Sequence, residues 1–122
     1  MRTPKPVQER RRSVHISESL PFKIGHQGYE TEAVTVNIST TGSLCLVHRE
    51  VPLMTQLKVA VSLPAAKSGS KKKTLTMKGV VVRRDRDEAN DRYLIAIYFS
   101  EIKPGDRTTL EKFIESRLSA NA

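Results

Sequence analysis

Apolar residues along this chain come in short blocks separated by turn signals, the pattern of many brief strands. Leu20 to Ile24 opens the series, and Gly25-His26-Gln27-Gly28 reads as a hairpin turn, because two glycines accept the positive φ that tight turns require. Tyr29 to Ser39 alternates, with Tyr29, Thr31, Ala33, Thr35 and Asn37 on one side and Val34, Val36 and Ile38 on the other, so one face is expected in the core. Asn37 to Gly42 is polar and turn-like, and Ser43 to Val47 returns as a short buried strand in which Cys45 serves packing. Gln56 to Leu63 alternates through Leu57, Val59, Val61 and Leu63, after which Pro64 to Lys73 has loop composition. Thr74 to Arg84 and Arg92 to Phe99 complete the strands, joined by the charged turn Asp85 to Asp91. One segment reads as a helix: Asp106 is its expected N-cap after Pro104-Gly105, and Leu110, Phe113, Ile114 and Leu118 share a face. Six short strands followed by one helix predict an all-β fold, a small six-stranded antiparallel β-barrel with a C-terminal α-helix, since closure removes exposed strand edges.

Composition narrows this without redirecting it. A chain of 122 residues, 38% hydrophobic and 28% charged, has room for one core. Its apolar runs fall far short of a membrane span, and the basic N-terminus is followed by Glu9 to Arg12 where a signal peptide would be apolar, so a cytoplasmic location is expected. The single cysteine excludes an internal disulfide. The formal charge of +8 is unevenly placed. Residues 1–12 carry +4 through Arg2, Lys5, Arg10, Arg11 and Arg12 against Glu9, and residues 67–73 carry another +4 through Lys67, Lys71, Lys72 and Lys73. Every other segment together is neutral.

Nothing points to catalysis. Nucleophile-elbow, phosphate-loop and metalloprotease patterns are missing, and His15, His26 and His48 lie in separate segments without metal-ligand spacing. The pairs Glu30/Glu32 and Asp85/Asp87 read as solvated surface. No enzyme activity, metal or cofactor is therefore expected. Two features could bind a ligand. The first is Arg10-Arg11-Arg12, with His15 four residues after Arg11, because guanidinium grips phosphate bidentately, reads the guanine edge and stacks on a base. The second is Asn37-Ile38-Ser39-Thr40-Thr41-Gly42, where Asn37 and Ser39, two apart in extended backbone, would face the same way and Gly42 would permit close approach. Each feature alone also fits a bland reading, a solvated basic tail and an ordinary polar turn.

In this order and at this separation the two features resemble the PilZ family of cyclic di-GMP receptors, recognised by Arg-x-x-x-Arg ahead of the first strand and (Asp/Asn)-x-Ser-x-x-Gly after the second. The second element is complete as Asn37, Ser39 and Gly42; in the first, Arg11 leads and His15 stands where the trailing arginine is expected. The first strand Ser19-Leu20-Pro21-Phe22-Lys23-Ile24, Lys78 to Val82, Arg92 to Phe99 and the closing helix extend the likeness over roughly residues 8–118. The resemblance implies a basic N-terminal arm at 1–8, a PilZ-like domain at 9–118 and a C-terminal tail at 119–122. It implies cyclic di-GMP as ligand, held by Arg10, Arg11, His15, Asn37, Ser39 and Gly42 with Arg12 beside them. It also implies a non-enzymatic receptor whose arginine loop closes over the ligand and alters contact with a partner protein. An imidazole lacks the guanidinium fork, so reduced affinity is expected at His15. Two other classes stay open: an adaptor acting through protein contacts without a ligand, and a barrel binding RNA or single-stranded DNA. Three Tyr, three Phe and no Trp leave few stacking platforms for the latter, and neither DNA nor RNA is the expected partner.

Overall fold

The computed structural model describes residues 15–26, 28–64 and 73–120. Six antiparallel strands, β1 (Pro21–His26), β2 (Tyr29–Ile38), β3 (Gly42–Val47), β4 (Gln56–Leu63), β5 (Lys73–Asp87) and β6 (Arg92–Ile102), are followed by the helix α1 (Pro104–Ala120). They close into a barrel in the order β1-β2-β3-β6-β5-β4, with β4 pairing back onto β1, so each strand has a neighbour on both sides. The expected architecture is the observed one.

The inward positions follow the period of two. Phe22 and Ile24, Leu57 to Leu63 in alternation, Leu75, Met77 and Val81, and Ile95, Ile97 and Phe99 fill the barrel. On β3 the inward residues are Ser43, Cys45 and Val47, while Leu44 and Leu46 are half-buried on the outside. The β1–β2 hairpin turns tightly, His26 opposite Tyr29, with Gly28 at φ +82° where a side chain would be strained.

Several boundaries differ from the sequence expectation. Strand β5 begins at Lys73 and runs through Asp87, so the expected charged turn shrinks to a single 3-10 turn, Glu88–Asn90, ended by Asp91 in a left-handed conformation. Ladder pairing of Asp85 with Leu94 and Asp87 with Arg92 outweighs the turn-like composition there. Helix α1 starts at Pro104, whose fixed φ suits a first helical position, so Asp106 lies inside the first turn instead of capping it. Ser119 and Ala120, expected in a tail, are its last residues. Leu110 and Ile114 join the core and Phe113 packs against it, but Leu118 is exposed. The helix runs on past its last core residue, Ile114.

Candidate functional site

The end of the barrel where β2 finishes and β3 begins carries the Asn37–Gly42 sequence, and three local devices shape it. The first is a β-bulge. Thr35 pairs with Cys45 but Asn37 with Leu44, so Val36 is an extra residue on β2. The bulge reverses the alternation. Ala33 and Thr35 point inward, and beyond the bulge Ile38 becomes fully buried while Asn37 turns to the half-exposed outside. The expected faces are thereby corrected: Asn37 leaves the side it would share with Ala33 and Thr35, and Ile38 leaves the side of the exposed Val34 and Val36. The Asn37 carbonyl accepts a bond from the buried Ser43 hydroxyl (2.8 Å).

The second device is the turn. Ser39 is almost fully buried, and its hydroxyl oxygen accepts from the amides of Thr41 (3.1 Å) and Gly42 (3.2 Å). That hydroxyl also bonds the Thr41 hydroxyl (3.1 Å), while the Ser39 amide donates to the Gly42 carbonyl (2.9 Å). Ser39 therefore does not face outward with Asn37, because the chain leaves extended geometry at Ile38 and a serine hydroxyl beside free amides closes a turn. Gly42 lies against β6, where a Cβ would fall 2.4 Å from the Ile97 carbonyl oxygen. The Phe99 amide donates to the Thr41 carbonyl (2.9 Å), pinning the turn to the same strand.

The third device places the N-terminal segment. Ile16 and Ile38 exchange two backbone hydrogen bonds of 3.0 Å, an isolated antiparallel bridge. Thr35 completes the clamp: its buried hydroxyl accepts from the Leu20 amide (2.9 Å) and donates to the Glu18 carbonyl. Glu18 is further held by Arg117 of α1 (2.7 Å), whose guanidinium also stacks over Phe113 (4.6 Å to the ring centre). His15, exposed, precedes the bridge by one residue as Ser39 follows it by one, so the two expected elements meet here. Arg10, Arg11 and Arg12 lie outside the described residues.

Next to Asn37 the outer sheet surface is apolar. Across the strands Asn37 continues into Leu44 and Ala96, and the neighbouring row runs Val34, Leu46, Leu94. Val34 is 47% exposed, Val36 38% and the others half-buried, giving a platform without charge beside a polar rim. Thr35, Ser43 and the bulge were not anticipated. The available signal was a threonine and a serine at inward positions of otherwise apolar strands.

Among the described residues no group of histidine, cysteine or acidic side chains could hold a metal ion, and no helix is long and apolar enough to cross a membrane. The Cys45 thiol is pushed up to about 12 by burial, against the opposing hydrogen bond from Ser43, and is inert at neutral pH.

The PilZ domain family model matches residues 9–116, which takes in the segment before the bridge, the whole barrel and most of α1. The chain belongs to the PilZ domain family. Solved structures share the fold. The inhibitor of motility of Bacillus subtilis (MotI/DgrA) superposes with a TM-score of 0.75 at 21% identity, over 88% of this chain and 51% of its own. The PilZ domain of YcgR from Escherichia coli with c-di-GMP gives 0.59 at 16% identity, over 92% and 98%. The PlzA protein of Borreliella burgdorferi in complex with c-di-GMP gives 0.60 at 11% identity, over 97% and 57%. The chain thus spans about half the length of MotI and of PlzA. None of the curated proteins matches it.

Proposed function

We propose that this PilZ domain is a non-enzymatic receptor for cyclic di-GMP, bound where the N-terminal segment meets the β2–β3 turn. The observation that carries the reading is the Ile16–Ile38 bridge, which brings His15 beside the Asn37–Gly42 element. Membership of the family and the two neighbours described with c-di-GMP support the ligand class. In this reading Arg10 and Arg11, with Arg12 beside them, grip phosphate and the guanine edge; His15 supplies one further donor, and Asn37 offers its amide to a base or phosphate. A purine lies over the uncharged Val34–Leu46–Leu94 row. Ser39 and Gly42 act by shaping the turn and seating it on β6. Closure of the arginine segment over the ligand alters the surface shown to a partner protein in the cytoplasm.

Titration calorimetry with cyclic di-GMP tests this. Saturable heat is expected, and its absence at high micromolar ligand overturns the reading. His15→Arg adds a bidentate charged contact worth on the order of 1.5 to 3 kcal/mol, so affinity is expected to rise by about one to two decades. A second reading follows from the same histidine: with the trailing arginine replaced, the domain acts as a ligand-independent adaptor. It predicts no heat from either the wild type or Asn37→Ala, with partner binding retained.

A further inference from the structure

The half of the barrel away from the Asn37 turn has a different surface. Six lysines fall among the described residues, and five of them, Lys23, Lys58, Lys73, Lys78 and Lys103, sit on or beside the outer side of β1, β4 and β5. The described arginines lie elsewhere, after β3, on the β5–β6 hairpin and on α1. Two adjoining hollows of about 680 and 1060 Å³ share Gly25, Glu30, Lys58, Lys78 and Glu101 in their lining. The small residues Gly25, Ala60 and Thr76 line the smaller hollow together with Met77, Ile102 and Pro104. Lys58 stands directly across the ladder from Lys78, an unfavourable like-charge pair. Glu101 answers Lys78 at 3.3 Å, whereas Lys23, which stands across the ladder from Glu32, and Lys58 and Lys103 form no ion pair among the described residues. Three ammonium groups outside any ion pair thus line one hollow with small residues, in excess over Glu30 and Glu101.

We propose that this groove docks an acidic, extended segment of a partner protein. Its carboxylates meet Lys23, Lys58 and Lys103, and its apolar side chains settle over Gly25, Ala60 and Thr76. Charge complementarity and concavity select that occupant. A bilayer is flat. The smaller hollow offers no aromatic face for a base and no arginine fork for phosphate, and Glu30 and Glu101 at its rim repel a continuous polyanion while tolerating spaced carboxylates. The site shares no residue with the nucleotide reading, names the partner chemistry that reading leaves open, and stands without it.

The test uses the full chain without nucleotide and a short fluorescein-labelled peptide in which Glu alternates with Leu and Ser. Saturable anisotropy at low salt is expected, with amide shifts mapping to Gly25, Lys58 and Ala60. The double variant Lys23→Glu/Lys58→Glu should weaken binding about tenfold or more, and Lys112→Glu on α1 should leave it unchanged. Circular dichroism confirms that the variants fold. No saturation, or equal binding by the double variant, overturns the proposal. So does binding of phosphatidylglycerol vesicles or random single-stranded DNA that beats the peptide and is lost in the same variant. Cyclic di-GMP titration of Lys23→Glu/Lys58→Glu should match the wild type, so the two readings fail separately.

Discussion

At Gly42 the side-chain position that any other residue would need is already occupied. A Cβ would sit 2.4 Å from the Ile97 carbonyl oxygen, and because that oxygen belongs to a strand in the barrel wall it cannot swing aside. Gly42→Ala is expected to lower stability by about 1–3 kcal/mol in urea denaturation. Gly105 is the contrast. Nothing lies within 4 Å of its Cβ position and it lies in the first turn of α1, so Gly105→Ala is expected to be neutral or stabilising by up to about 1 kcal/mol. Cys45 carries a pH signature of its own. Unfolding exposes a thiol that ionises near its ordinary 9.0, whereas the native thiol keeps its proton to about 12. Above about pH 9 the folded chain therefore binds more protons than the unfolded one, and stability falls as pH rises. Urea midpoints measured from neutral to alkaline pH should fall faster for the wild type than for Cys45→Ala, with no difference in slope below about pH 8.

Among elements, the segment between His15 and Leu20 matters most, because it has no strand pairing beyond one bridge and still sets His15 beside the β2–β3 turn. Its anchors are the Ile16–Ile38 bridge, the Thr35 hydroxyl and the Glu18–Arg117 pair. Thr35→Val keeps the shape and removes both hydroxyl bonds, leaving the Leu20 amide without that acceptor. A loss of about 1–3 kcal/mol is expected, read by thermal or urea unfolding, together with weaker cyclic di-GMP binding by calorimetry. Unchanged affinity in a folded Thr35→Val would show that the clamp does not position the ligand site. Helix α1 contributes through Leu110, which is fully buried, and Leu110→Ala should cost about 2–5 kcal/mol. The strands and the helix were legible in the sequence because their periods are long and regular. The β2 bulge was not, since inserting Val36 costs no recognisable residue type; what selects it is pairing with β3 and burial of Ile38.

For the whole molecule, closure divides the surface between two chemistries. Beside Asn37, strands β2, β3 and β6 present the uncharged row Val34, Leu46 and Leu94, and on the other half Lys23 of β1 and Lys58 of β4 stand over a hollow that Glu30 and Glu101 also line. The net charge of +8 gave no hint of this division, because the chain outside the two basic segments is neutral and the separation arises only when strands distant in sequence become neighbours. A single barrel with every strand paired on both sides should unfold as one unit. Far-UV circular dichroism and tyrosine fluorescence are expected to give coincident urea transitions.

The sequence alone determined the six strands, the closing helix, the family and the Asn-x-Ser-x-x-Gly element, because alternation, turn residues and short motifs are local properties. Tertiary structure decided which way those residues point. Asn37 faces out because a bulge absorbs Val36, Ser39 faces in because its hydroxyl closes a turn onto amides, and His15 meets that turn because Ile16 bridges to Ile38. Each of these depends on a partner strand, and the identity of a partner strand is not a local property of the chain.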